Sequence, residues 1–172
     1  MTRARKAAEL SIVRAQTPAQ ITEVHALFLE YAKSLGFSLC FQNFDQELAN
    51  LPGDYAPPSG RLLLAQHGGE SVGCIALHKL DIEMCEMKRL YVRPTFRGLG
   101  VGRALIDAVL AEARTIGYGR MRLDTVEPVM KDAVRMYRAM GFREIAPYRP
   151  NPMPGTLYME LSLKPGRLQN QR

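Results

Sequence analysis

The sequence predicts a mixed α/β domain, a twisted and mostly antiparallel sheet flanked by helices. Two observations carry the prediction. Apolar strand-like runs separated by short turns come first, and the pattern then changes to strand, helix, strand, helix, strand. Hairpins followed by that alternation build a mixed sheet covered by helices on both faces. At 172 residues the chain suits one domain, expected over residues 10–163, between flexible ends at 1–9 and 164–172.

Leu10–Ala15 (LSIVRA) is a short β-like run. Thr17 then caps a helix with Pro18 at its first position, and Ile21, Val24, Leu27, Phe28 and Tyr31 form its apolar face up to Gly36. A second short helix is expected within Phe41–Leu51, before the turn-rich loop LPGDYAPPSG. Arg61–Gln66 and Ser71–Leu80 read as a hairpin around Gly68 and Gly69. Glu83–Val92 is the next strand, and Pro94 ends it. From Gly100 the period becomes helical, with Val101, Leu105, Ala108, Val109 and Ile116 on one face. After Gly117 and Gly119, Arg120–Val126 is a strand again. Pro128 is expected to start a helix carrying Ala133, Val134, Tyr137 and Met140, closed by Gly141 in the left-handed region. Following the Pro-rich turn Asn151–Gly155, Thr156–Leu163 alternates as the last strand.

Composition narrows the function classes. No stretch approaches the roughly 18 apolar residues that cross a bilayer, and no signal peptide is read at the N-terminus. Cys40, Cys74 and Cys85 are irregularly spaced, and with the scattered His25, His67 and His78 they make no zinc set, so no metal is expected. Reduced thiols in a cytoplasm are the simplest reading. The net charge of +6 admits nucleic acid, a membrane surface or a small anionic ligand. Part of it lies near the ends, at Arg3, Arg5, Lys6, Lys164, Arg167 and Arg172, and part brackets one turn, at Arg89, Arg93, Arg97 and Arg103. Without a zinc-finger pattern, an RNP motif or a basic helix, a nucleic-acid module is the competing class rather than the leading one.

That turn, VRPTFRGLGVGR from Val92 to Arg103, joins a strand to a helix. Such a junction presents unpaired backbone N–H groups to an anion, and glycines let them converge. The amides of Leu99 through Arg103 are placed to cradle a pyrophosphate, with Arg97 and Arg103 adding charge. A P-loop would need a lysine followed by Ser or Thr here, and the dinucleotide fingerprint fails because its third glycine falls on Arg103.

The turn resembles the acyl-CoA-binding motif of the GNAT family of N-acetyltransferases: Arg or Gln, two residues, Gly, one residue, then Gly or Ala. Arg97, Gly100 and Gly102 match in order and spacing. A second element, YRAMGF from Tyr137 to Phe142, resembles the family's YxxxGF segment on the following helix, with LDT (Leu123–Thr125) on the strand between. The resemblance runs from about Leu10 to Leu163.

What the resemblance implies is direct transfer from acetyl-CoA to a primary amine in a ternary complex. The fourth and fifth strands would splay apart around the pantetheine arm. Backbone groups of Leu90 and Val92 would pair with it, and an N–H near Leu90 would polarise the thioester carbonyl. The amides of Gly98, Leu99, Gly100, Val101, Gly102 and Arg103 would hold the pyrophosphate, and Arg103, Lys131 or Arg135 the adenosine 3′-phosphate. Tyr137 would donate a proton to the leaving thiolate; without the resemblance it is a core aromatic. On an ideal strand Met84, Glu86, Lys88, Leu90 and Val92 share a face. Glu86 stands where several family members place their base. Its other reading is a salt bridge with Lys88, Arg122 or another basic neighbour. Glu83 is the alternative base, and some members use none. Met130 replaces the Asn that many members carry seven residues before the tyrosine. Glu30, Tyr31, Tyr55, Tyr148 and Asn151 are candidates to line the acceptor site. The expected partner is a small-molecule amine, with a protein N-terminus or lysine as the alternative, and a catalytically silent CoA-binding regulator as another. Neither nucleic acid nor membrane is expected as a partner, and the chain would be a monomer or homodimer.

Overall fold

The computed structural model describes residues 9–164. The expected flexible ends, apart from Glu9 and Lys164, fall outside those residues. Seven strands form one sheet in the order β1-β2-β3-β4-β5-β7-β6. They are β1 (Leu10–Arg14), β2 (Arg61–His67), β3 (Glu70–Lys79), β4 (Met84–Val92), β5 (Arg120–Val126), β6 (Arg143–Ile145) and β7 (Thr156–Ser162). Four helices accompany them: α1 (Pro18–Ser34), α2 (Phe44–Ala49), α3 (Val101–Ile116) and α4 (Lys131–Ala139). Every neighbouring pair is antiparallel except β4 and β5, which run parallel. Among the described residues no helix is long and apolar enough to cross a membrane.

Local chemistry accounts for most boundaries. The Thr17 hydroxyl accepts from the Gln20 N–H, the Gln20 side chain accepts from the Thr17 N–H, and Pro18 fills the first turn of α1. At the end of α4, Gly141 has φ 99°. The Phe142 N–H donates to Tyr137 O and the Gly141 N–H to Arg138 O, which closes a Schellman turn. That closure aims Phe142 into the core and fixes Tyr137 against it, ring centroids 5.7 Å apart. Two boundaries differ from expectation. α4 begins at Lys131 rather than Pro128, because the N–H groups of Val129 and Met130 fold back onto Val126 O in a turn. The three-residue strand β6 carries no readable alternation and exists through its pairing with β7.

β2 shows how the sheet separates two cores. Leu62 and Leu64 point to α1, where Val24, Leu27 and Phe28 are fully enclosed. Leu63 and Ala65 point to α3, among Leu105, Ile106 and Val109. A strand buried on both faces reads as an unbroken apolar run, and each such side chain contributes roughly 1.5–3 kcal/mol by leaving water.

Candidate active site

β4 and β5 are paired over three positions only, Met84, Cys85 and Glu86 against Arg120, Met121 and Arg122. Beyond them the strands part. The gap opens into a cavity of about 820 Å³ that extends from the turn before α3 to residues of α1 on the far side. Its sides are unlike in construction.

On one side stands the glycine turn. Gly98 and Gly100 have φ of 79° and 80°, and Gly100 caps α3 with no side chain doing so. Among the described residues, the N–H groups of Gly98 through Arg103 find no acceptor; the first bond back into the turn is Ala104 N–H to Gly100 O. A helix N-terminus bare of both cap and side chains is an anion site in geometry and in field. A Cβ at Gly102 would meet Met136 Cε at 3.4 Å and Val92 Cγ2 at 3.8 Å, so this glycine keeps the cavity wall low. The Arg97 guanidinium lies over the Tyr91 ring and donates from Nε to Val92 O at 2.9 Å, pinning the turn to the end of β4.

Tyr137 comes from α4 and lines the same cavity, 5% exposed overall. Burial raises the pKa of its phenol, so it stays protonated across the neutral range. Its hydroxyl has no hydrogen-bond partner among the described residues, which leaves the proton free for a group in the cavity.

The comparisons with known proteins agree with this geometry. The model of the acetyltransferase (GNAT) family matches residues 22–142. The chain belongs to the GNAT family. An uncharacterized N-acetyltransferase of Schizosaccharomyces pombe is 39% identical over 160 residues, spanning 92% of this chain and 98% of that protein. A GNAT-family acetyltransferase structure from Staphylococcus aureus superposes with a TM-score of 0.75 at 23% identity, covering 91% of this chain and all (100%) of that one. An acetyltransferase structure from Salmonella typhimurium with acetyl-CoA has a TM-score of 0.66 at 18% identity, covering 95% and 99%. At those identities the likeness is one of fold. The protein is thus a GNAT enzyme, an acetyl-CoA-dependent N-acetyltransferase, and the expected fold with its splayed strands is the observed one.

The other side of the GNAT cleft departs from the ideal strand. Lys88 pairs with Ala76, but Tyr91 pairs with Cys74, so β4 carries one extra residue between them, and Arg89 there has φ 62°. Such a bulge reverses facing. Cys85 and Met87 face α3 before it, and Leu90 and Val92 pack on that same side after it, while Tyr91 turns to α1. The expected common face of Glu86, Lys88, Leu90 and Val92 is therefore broken. Arg89 is clamped at the bulge: its guanidinium donates to Glu47 at 2.8 and 3.1 Å and to Gln42 at 2.8 Å. Burial alone would raise the pKa of Glu47, and the hydrogen bond and charge of Arg89 outweigh that and lower it.

Glu86 departs furthest from its expected placement. It is fully enclosed and does not line the cavity. One oxygen takes the His78 Nε2 contact at 2.8 Å. The other accepts from the Tyr148 hydroxyl at 2.5 Å and is ion-paired with Arg149. This is the salt-bridge reading, with Arg149 as the basic neighbour. His78 is held neutral, its pKa lowered to about 4 by burial and then by Lys88 and Arg149. Glu83 lies just before β4 and pairs with Lys164 at 3.2 Å.

Of the acceptor candidates, Tyr31 and Asn151 line the cavity. Glu30 is instead bound to Arg93 by two contacts of 3.0 and 3.1 Å, Tyr148 belongs to the Glu86 cluster, and the Tyr55 hydroxyl donates to Glu47 at 2.8 Å. Leu90, Val92, Arg97, Gly98, Gly100, Val101, Gly102, Arg103 and Lys131 all line it, whereas the Leu99 side chain is 61% exposed outside it. Two ionisable residues were missed. Asp124 on β5 faces the cavity, with Asn151 Nδ2 donating to it at 3.2 Å and Arg149 Nε ion-paired with the same oxygen at 3.7 Å. Lys88 on β4 faces it too, and burial and then Arg89 lower its ammonium to a pKa of about 8. Asp124 sits within the quoted LDT, and both residues lie two positions beyond the last β4–β5 pair, a pairing between distant segments that the sequence does not announce.

Proposed function

We propose that this GNAT enzyme transfers the acetyl group of acetyl-CoA directly to the primary amine of a small molecule, with both reactants held at once. The observation that carries this reading is the single cavity whose lining runs from the glycine turn to Tyr31, Lys88, Asp124 and Asn151. Much of its volume of about 820 Å³ goes to the pantetheine arm, and the remainder suits a small acceptor. The lining contains no cysteine, and burial pushes the Cys85 thiol up to about 12 and that of Cys74 higher still. No thiolate is therefore at hand to carry the acetyl group in an intermediate step. The three thiols are free, which accords with a cytoplasmic setting.

The residues present fit acetyl-CoA. The free amides of Gly98 to Arg103 suit its pyrophosphate, Arg103 and Lys131 at the rim suit its outer phosphate, and the unpaired edge of β4 at Leu90 and Val92 suits its pantetheine amides. Bringing the two reactants together contributes a large share of the rate. In the transfer, the nitrogen lone pair forms the C–N bond and the C–S bond breaks. The sulfur takes the proton of the Tyr137 hydroxyl, and Asp124 receives the proton that nitrogen sheds, directly or through water. An amine panel with thiol detection of released CoA tests the activity. Intersecting initial-velocity lines for the best acceptor are expected; parallel lines would overturn the ternary complex, and no release from any amine would overturn the acceptor class.

A further inference from the structure

Lys88 and Asp124 occupy opposite lips of the splay at matched depth. The last paired residues of β4 and β5 are Glu86 and Arg122. Each strand then runs two residues further, which restores the same facing, before the bulge at Arg89 intervenes. Both side chains point away from Met87 and Leu123, which belong to the α3 core. An ammonium and a carboxylate thus look into one chamber from facing strands without pairing within 4 Å. Lys88 has no hydrogen-bond or ion-pair partner among the described residues. The neighbouring cation differs: Arg89 is already saturated by Glu47 and Gln42. Burying an ammonium with no partner is costly, and such a group awaits an anion.

We infer that the acceptor is a small amine that also bears a carboxylate, its acid group bound by Lys88 and its amine placed at Asp124. This inference rests on the acetyltransferase reading above and deepens it. One unpaired ammonium matches one monoanionic group, so the chemistry favours an amino acid over an uncharged amine. A charge-assisted contact of this kind separates an acid from its neutral analogue by on the order of 10- to 100-fold.

The test compares amino acids with their carboxamides as acceptors, scored as kcat/KM by CoA release. The acids are expected to lead by that factor, chiefly through KM. The Lys88→Met variant should erase the preference, and Lys88→Arg should keep part of it. Calorimetry on the CoA-saturated enzyme, using the matching acid without its amine, reads the same anchor without turnover and should show binding lost in Lys88→Met. Equal use of acid and carboxamide by the parent, or a preference that survives in Lys88→Met, would overturn the inference while leaving the acetyltransferase reading intact. A Lys88 found acetylated after incubation with acetyl-CoA alone would make it an acceptor and would also overturn it. CoA release from none of the amines would overturn the reading beneath it.

Discussion

The glycine turn and the chamber beneath α1 face each other across one gap, yet they offer a ligand different kinds of group. The turn offers backbone: six consecutive N–H groups from Gly98 to Arg103 with no acceptor of their own among the described residues. The chamber offers side chains from several elements, Tyr31 from α1, Lys88 from β4, Asp124 from β5 and Asn151 from the loop before β7. Backbone is the same in every sequence that adopts the turn, so a common cofactor can be held by shape and small residues alone. Side chains differ with each exchange, so on the reading proposed above acceptor choice resides in the chamber. The contrast predicts that damage on one side is felt as lost cofactor, and on the other as altered acceptor use.

The largest effect is expected at the turn. Gly102→Glu places a carboxylate among amides that suit an anion, at a position of ordinary helical φ where a Cβ meets Met136 and Val92 no closer than 3.4 Å. The fold should persist while acetyl-CoA affinity by calorimetry falls below detection, and Gly102→Ala should retain most of it. Gly100 is a poorer probe, since its φ of 80° would add backbone strain to any substitution. Undiminished affinity in a folded Gly102→Glu variant would remove the turn from the cofactor site.

Tyr137 stands between the two sides, and its loss should touch chemistry alone. Tyr137→Phe keeps the ring packed against Phe142 and removes an oxygen that has no partner among the described residues. Acetyl-CoA affinity should hardly move, while turnover falls by about 10- to 1000-fold. Parent-like turnover, with chemistry shown to be rate-limiting, would return Tyr137 to the status of a core aromatic.

Within the chamber, two carboxylates should part company. Asp124→Asn removes the carboxylate proposed above as the base, so turnover should drop at modest pH and recover as rising pH supplies neutral amine. Glu86→Gln acts on a carboxylate enclosed by His78, Tyr148 and Arg149. It should keep the parent's pH–rate shape and instead lose about 1–3 kcal/mol of stability, through a buried partner left unsatisfied. Thermal melts and pH–rate profiles on both variants distinguish them. If Glu86→Gln flattened the acid limb and Asp124→Asn did not, Glu86 would be the base after all.

The same contrast explains how much could be read from the residues. The glycine turn occupies one contiguous stretch, and its strand–turn–helix context follows from Pro94, the glycines and the change of period, so the turn and the helix that carries Tyr137 are legible in the sequence. The chamber depends on pairings between distant segments. Nothing in KRLYV announces the bulge, which exists because β3 supplies one residue fewer opposite Arg89, held in turn by Glu47, a residue 42 positions away. Glu86 and Lys88 share a parity and both precede the bulge, which takes only Leu90 and Val92 off that face. Glu86 lies where β4 and β5 are still paired and is enclosed by Tyr148 and Arg149, whereas Lys88 and Asp124 lie beyond the last pair and line the cavity. Helix α4 starting at Lys131 and strand β6 were lost for a like reason, being set by a turn onto Val126 and by β7.

The smallest expected effect runs against intuition and sharpens the difference between the sides. Lys88 carries its charge where burial disfavours it, with its pKa lowered from the ordinary 10.5 to about 8. The charged groups around it are Arg89 on its own strand, Glu47 on α2 and Asp124 on β5, with Tyr31 on α1 facing the same cavity. Arg89 opposes the ammonium, and the two carboxylates do not fully offset burial. Below about pH 8 the folded protein bears that penalty in full. Between about pH 8 and 10.5 the unfolded chain still binds the proton while the folded one has shed it, so stability attributable to this group rises with pH. Lys88→Met, of similar length and without charge, should therefore melt higher than the parent at neutral pH, by about 2–4 °C for each kcal/mol relieved. The advantage should shrink as the buffer is raised from pH 8 toward 10, since the parent is then losing its penalty and the variant has none to lose. Melting curves of both proteins across that range, without ligand, give the result. A variant that melts lower than the parent at pH 7, or an advantage that stays flat to pH 10, would mean that Lys88 is satisfied in the free enzyme and is not waiting for the acid group of an acceptor.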